Sequence, residues 1–272
     1  MRADLAKLDR AFHPRVVAVV GDSKSNNFNW LKAQKSFQGK LFSVHVNPES
    51  LEDIRALGIP NFPTLLDIPE PVDLAIVAVP RKAAPAVLED CIRKEVAAAH
   101  FFSAGFSETQ TQEGLDLERR LVNRAEEAGF LLIGPNCMGL FHPRVGIRQS
   151  EEQYAGVSGP LGFITQSGSI AIAFSLDAQQ QGLLINKSVS FGNGIVVDSP
   201  DFLEYFGADP EIKAVGMYLE GVKNGRRFLK VLKEVAGKKP VVIWKGGRTE
   251  EGSRATVSHT GSLTPSPLLW EA

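Results

Sequence analysis

One histidine, His259, stands in the stretch "ATVSHTGSL", among small and hydroxyl-bearing residues shortly after the strand-like run "PVVIWKGG". An imidazole in such a place either carries a reaction, because it is nucleophilic and basic near neutral pH, or is simply a turn residue. A lone loop histidine is most often solvated or satisfied locally, and that is the reading given to His13, His45, His100 and His142. A second chemical candidate lies in "TQSGSIAIAFSLDAQQ", where a strand passes through Ser167, Gly168 and Ser169 into a helix. Free N–H groups and the positive end of the helix macrodipole then face the turn, which suits an anion; the plainer alternative is an N-cap serine alone. A third is "GDSKSNNFNW", which offers backbone N–H groups from Gly21 onward, the side chains of Ser23, Ser25, Asn26 and Asn27, and the charge of Lys24. Such a loop at the carboxyl edge of a parallel sheet suits a phosphate-bearing ligand. It lacks the G-x-G-x-x-G fingerprint, and the next strand ends in Asn47-Pro48 rather than in an acid for a ribose. Both departures argue against an NAD-dependent dehydrogenase.

The elements that must position these groups are legible as short apolar runs. "RVVAVVG" (15–21), "LFSVHVNP" (41–48), "VDLAIVAVP" (72–80), "AAHFFSAG" (98–105) and "GFLLIGP" (129–135) read as buried strands. Between them "APAVLEDCIRKEVAA" and "GLDLERRLVNRAEEAG" read as helices, the second with Leu115, Leu117, Leu121, Val122 and Ala125 against a charged face. Near-continuous apolar strands alternating with amphipathic helices predict a parallel sheet covered on both faces, hence a Rossmann-like domain over residues 1–145. "HPRVGIRQSEEQYAGVSGP" has no clear period, and 146–158 is expected to be a linker. A second series, "LGFITQSG", "NKSVSFGN", "IKAVGMYLEG" and "KPVVIWKGG", alternates with helices near "SIAIAFSLDAQQQG", "DFLEYFG" and "GRRFLKVLKEVAG". Over 159–272 it predicts a flavodoxin-like, doubly wound α/β domain, and its end at "PLLWEA" suggests part of a longer polypeptide.

The chain has 272 residues, 43% hydrophobic and 22% charged, which is globular composition and room for two domains. A net charge of −1 with scattered Lys and Arg gives no field that would gather a nucleic acid or an anionic membrane. Cys91 and Cys137 form no disulfide framework and lack the spacing of a zinc site, so no metal site is expected and a reducing compartment fits. The N-terminus "MRADLAKLDRAFHPR" has no apolar core of a leader, and no run approaches the roughly 18 apolar residues of a membrane span. A cytoplasmic location is the expectation.

At "SAGFSE" (103–108), "GPNCMG" (134–139), "TQSGSIA" (165–171), "YLEG" (218–221) and "SHTGSL" (258–263) the chain resembles NDP-forming acyl-CoA synthetases, the superfamily that includes the succinyl-CoA synthetase alpha subunit. The five motifs stand in order across nearly the whole chain, "TLLDIPEPVDLAIVAVP" also matches, and the likeness is closer to the acetate type than to the succinate type. The resemblance implies a first domain that binds coenzyme A and a second that carries a transiently phosphorylated histidine. Acyl-CoA, phosphate and a nucleoside diphosphate would be interconverted with a carboxylic acid, CoA and the triphosphate. Matched motif by motif, His259 is the phosphorylated residue and Glu220 orients its imidazole; Ser167, Gly168 and Ser169 hold the phosphoryl group. Coenzyme A is expected against Gly21, Ser23, Lys24, Asn47, Val79, Pro80, Asn136 and Cys137. Asn136 would hydrogen-bond the ligand, whereas Cys137 is read as a packed pocket residue. Glu108 is expected to cap a helix or touch the site, and Asn193 and Asp198 fall in a loosely matching "GN...D" segment. ATP or ADP with Mg would sit on an ATP-grasp domain or subunit, giving an oligomeric assembly. The alternative implied by the same likeness is a non-catalytic, CoA-binding regulatory relative; the unusual "GDSKSNNFNW" favours it, while His259 with Glu220 favours the enzyme.

Overall fold

A computed structural model describes residues 2–247; His259 and the rest of "SHTGSL" lie outside the described residues. Strands β1 (Val16–Val20), β2 (Lys40–Val44), β3 (Asn61–Phe62), β4 (Leu74–Val77), β5 (Ala98–Phe101) and β6 (Leu131–Ile133) form one parallel sheet in the order β3-β2-β1-β4-β5-β6. This is the strand order of doubly wound dinucleotide-binding folds, with the topological switch between β1 and β4. Every residue of β1, β4, β5 and β6 is buried, which is why their sequences run apolar without alternation.

Helices α1 (Leu5–Phe12), α2 (Asn29–Ala33), α3 (Pro48–Ala56), α4 (Ala84–Arg93) and α5 (Gln112–Ala128) flank this sheet. Asp4 starts α1 by accepting from the Ala6 and Lys7 amides, and Leu8, Ala11 and Phe12 face inward. The run "LFSVHVNP" is strand only to Val44; Asn47 then caps α3, with Pro48 in its first turn. In α5 Leu115 is exposed, contrary to the periodicity reading, because Gly114 is the residue turned inward. A β-carbon at 114 would lie 2.3 Å from the Phe106 carbonyl oxygen, so this close approach sets the rotation of the helix.

The second sheet contains β7 (Gly139–Phe141), β8 (Leu161–Thr165), β9 (Ile185–Ser190), β10 (Ala214–Leu219) and β11 (Val241–Lys245), in the order β11-β10-β8-β9-β7. Strands β8 to β11 are parallel in the 2-1-3-4 order of flavodoxin-like folds, and β7 adds an antiparallel edge on β9. The chain thus enters the second sheet straight after "GPNC". Helices α6 (Gly168–Gln180), α7 (Ser199–Ala208) and α8 (Gly225–Ala236) cover it; Phe228, Val231 and Val235 of α8 are its buried stripe.

Residues 146–158 form a packed strap rather than a loose tether. Gln149 and Gln153 are buried, Gln149 Nε2 donates to the Gly139 carbonyl (2.7 Å), and Gln153 Nε2 donates to Ser175 Oγ of α6 (2.7 Å). The N-terminal helix fastens the two sheets as well: Tyr205 of α7 stacks on Phe12 with ring centroids 5.2 Å apart and donates to Asp9 (2.8 Å). These contacts make one continuous core of the two halves.

Candidate active site

All the described candidate residues lie at the carboxyl ends of the parallel strands or in the loops that leave them. After β1, Gly21 has φ +80°, and a β-carbon there would fall 2.4 Å from Val79 Cγ1. The bare glycine lets the β1 loop close on the β4 loop and leaves its backbone open to a ligand. Asp22 is buried and organises the β1 loop, accepting from the Leu31 amide (2.9 Å), the Ser23 amide (3.1 Å) and Asn26 Nδ2 (3.2 Å). Burial raises its pKa, and these hydrogen bonds oppose the rise. Asn27 and Phe28 then take left-handed backbone before the five-residue α2 begins. The loop therefore presents side-chain donors, with the Ser23 and Ser25 hydroxyls 2.9 Å apart, in place of a long helix dipole. Lys24 reaches Asp53 at 3.1 Å through an exposed pair that is weak in water. Asn47 Oδ1 is occupied by the Glu49 amide, Pro80 starts the turn into α4, and the Val79 carbonyl accepts from the Ser103 hydroxyl.

After β6, Asn136 takes left-handed backbone at φ 58° and donates its amide to the Ser103 carbonyl (3.0 Å). Cys137 is 3% exposed, and burial pushes its thiol up to about 12. A group so rarely ionised is a packing residue, not a nucleophile. The loop after β9 lies directly on this segment: the Asn193 amide donates to the Pro135 carbonyl and the Ile195 amide to the Gly134 carbonyl, both at 3.0 Å. Asn193 Nδ2 reaches Glu108 (2.7 Å) and Glu118 (3.2 Å), and its Oδ1 accepts from Asn136 Nδ2 (3.5 Å). Glu108 in turn accepts from the Gly105 and Phe106 amides, so it closes its own turn and holds Asn193 across the domain boundary. Asp198 caps α7 and is raised in pKa by burial.

In the second domain Ser167 is the N-cap of α6; its Oγ accepts from the Ile170 amide (3.4 Å) and lies 3.1 Å from Ser169 Oγ. Here helix dipole, two hydroxyls and the first-turn amides converge. Met138 packs against that start, since a β-carbon on Gly168 would lie 2.7 Å from Met138 Cγ. Gln166, adjacent to Ser167, accepts through Oε1 from the Glu220 amide (2.5 Å) and the Gly221 amide (2.9 Å). Glu220 is 3% exposed; the Tyr218 hydroxyl donates to its carboxylate (3.4 Å) and Lys245 Nζ to its carbonyl (2.9 Å).

The structure thus brings Asn136, Cys137, Ser167, Gly168 and Ser169 into one neighbourhood through Met138, ties Glu220 to it through Gln166, and places Gly21 and Val79 at the switch point. Asp22, Gln166, Met138, Glu118 and Tyr218 also shape the site, although their sequence motifs do not single them out. For Asp22 the signal was an acid directly after the strand-ending glycine; the others act through contacts remote in sequence. Among the described residues no cluster of His, Cys, Asp and Glu could hold a metal ion, and no helix is long and apolar enough to cross a membrane.

Sequence profiles match in two blocks: a CoA binding domain at residues 15–143 and a succinyl-CoA ligase like flavodoxin domain at residues 158–272. The chain is 41% identical over 97% of its length to acetate–CoA ligase [ADP-forming] I of Archaeoglobus fulgidus, covering 38% of that protein. It is 37% identical over 97% of its length to the alpha subunit of acetate–CoA ligase [ADP-forming] II of Pyrococcus furiosus, covering 57% of that subunit. A solved structure of acetyl-coenzyme A synthetase 1 from Ca. Korarchaeum cryptofilum, in complex with phosphate and ADP, superposes with a TM-score of 0.86 at 34% identity. That likeness covers 97% of this chain and 57% of the other. The chain accordingly spans less than two thirds of the length of these relatives.

Proposed function

This chain belongs to the superfamily of NDP-forming acyl-CoA synthetases, and from that premise we propose that it is the CoA-binding and phosphohistidine-bearing part of an ADP-forming acid-thiol ligase. The observation that carries the proposal is the seating of the "GPNCMG" loop, through Met138, on the Ser167–Ser169 helix start, with Glu220 fixed to the same strand ends. A CoA thioester reaching Asn136 and a phosphate held at α6 then meet in one pocket. Gly21, Ser23, Lys24, Val79 and Pro80 hold the nucleotide end of CoA at the switch point; Asn47 borders it, with its side chain committed to α3. Asn136 hydrogen-bonds the thioester carbonyl, and Cys137 fills the wall behind.

A phosphate oxygen attacks the thioester carbonyl, the carbon–sulfur bond breaks, and CoA leaves as thiol with formation of an acyl phosphate. A ring nitrogen of His259 next attacks phosphorus; the nitrogen–phosphorus bond forms as the carboxylate departs. Glu220 accepts the N–H of the other ring nitrogen and stabilises the imidazolium, while the α6 amides and the Ser167 and Ser169 hydroxyls balance the phosphoryl charge. The phosphoryl group passes on to a nucleoside diphosphate on an ATP-grasp domain or subunit, which supplies Mg and completes an oligomeric cytoplasmic enzyme. The acid is small and of the acetate class. A CoA-binding regulator would have no use for a buried carboxylate on a loop whose backbone is tied by Gln166 beside the anion-binding helix start, so the catalytic reading is favoured. Calorimetric titration of the folded chain tests it: saturable binding of CoA and none of NAD is expected, and no CoA binding would overturn the proposal.

A further inference from the structure

Asn193 is 3% exposed at the boundary of the two sheets, and nothing in the chemistry above uses it. Its partners fix its orientation. The oxygens of Glu108 and Glu118 face Nδ2 at 2.7 and 3.2 Å, and carboxylate oxygens accept hydrogen bonds, so they demand the NH2 edge of the amide. The Asn193 Oδ1 edge is thereby turned to Asn136, whose own NH2 must face it, at 3.5 Å. Two carboxylates on the first domain therefore select the flip of two successive amides.

The carboxylates are themselves held. Glu108 accepts from the Gly105 amide (2.5 Å) and the Phe106 amide (3.2 Å), and Glu118 from the Ser107 hydroxyl (2.6 Å). The backbone is clamped too: Gly192 has φ +51°, and a β-carbon there would lie 2.2 Å from the Asn136 carbonyl oxygen. We propose that Asn193, locked by Glu108 and Glu118, is a positioning residue: it takes one N–H of the Asn136 amide and so holds the other N–H in place to donate to the carbonyl of the acyl thioester. It acts through Asn136 and does not touch the reacting atoms. The proposal rests on the function given above, in which Asn136 meets the thioester.

The test is single-turnover labelling of the full chain with acetyl-CoA and radiolabelled inorganic phosphate, with CoA affinity measured in parallel by calorimetry. Asn193→Asp sets a third carboxylate against the first two. It is expected to slow labelling at saturating acetyl-CoA by about 10- to 100-fold, the scale of a roughly 1 Å misplacement, while CoA affinity changes less than about threefold. Adding Glu108→Gln supplies an NH2 group to the new carboxylate and should restore at least about a tenth of the original rate. Wild-type labelling by Asn193→Asp, a loss of CoA affinity as large as the loss of rate, or no recovery in the double variant would each overturn the proposal. If Asn193→Asp does not fold, Glu108→Gln alone decides: slower labelling supports the role and an unchanged rate overturns it. An unsubstituted chain that binds CoA yet takes no label would overturn the functional reading, and this proposal with it.

Discussion

Replacing Gly139 with alanine should destabilise the protein by roughly 2–5 kcal/mol, of which about 1–3 kcal/mol should depend on His100. Gly139 has φ +67°, a conformation that costs an L-residue about 1–2 kcal/mol. Its β-carbon would also lie 1.8 Å from His100 Nδ1 and 2.2 Å from Cγ, far inside van der Waals contact. His100 cannot withdraw: it is fully buried, with the Trp30 ring centroid 5.3 Å away, so overpacking adds about 1–3 kcal/mol. His100→Ala alone should cost less than the ~3–5 kcal/mol of a typical aromatic deletion, because neither ring nitrogen has a hydrogen-bond partner among the described residues. In the double variant the overlap vanishes and only the backbone cost remains, giving a coupling of about 1–3 kcal/mol. Urea denaturation of the four proteins measures it, with midpoints compared at a common slope. Additivity within about 0.5 kcal/mol would refute the claim that the ring and the glycine share one space.

Cys137 should resist iodoacetamide in the native protein at pH 7, since a thiol pushed up to about 12 by burial is ionised in very few molecules; Cys137→Ala should keep activity, and rapid native alkylation would contradict the burial argument. Stability should also fall as pH drops from neutral toward 5. Burial holds His100 down at about 3 and His142 at about 4, so below the unfolded value of about 6.5 the unfolded chain takes up protons that the native state refuses. The slope approaches ~1.4 kcal/mol per pH unit for each histidine, and His142→Gln should remove one histidine's share; an unaltered slope in denaturation series across this range would refute it.

The central strands of the first sheet were legible because they are buried on both faces and so leave uninterrupted apolar runs, as in "VVAVV" and "LAIV". The short β3 and helix α3 left weaker traces: β3 has two residues, and α3 buries only Ser50 and Ile54. Helix α1 did carry a signal, the Asp4 cap followed by Leu5, Leu8, Ala11 and Phe12, but the charges between them masked it. At the site, the serines before α6 were readable because an anion-binding helix start is a local feature. The hold of Glu108 and Glu118 on Asn193 was not, because those partners lie 85 and 75 residues apart and leave no periodic mark. Likewise nothing local distinguishes Gln166 from any other strand-end glutamine until its contact with the Glu220 and Gly221 amides is seen.

Treating the chain with acetyl-CoA and radiolabelled phosphate and locating the label decides whether His259 carries the phosphoryl group. An acid-labile, alkali-stable phosphohistidine is expected at His259, abolished by His259→Ala and strongly reduced by Glu220→Gln, with CoA binding unchanged in both. Phosphorylation that persists in the His259→Ala protein would contradict it.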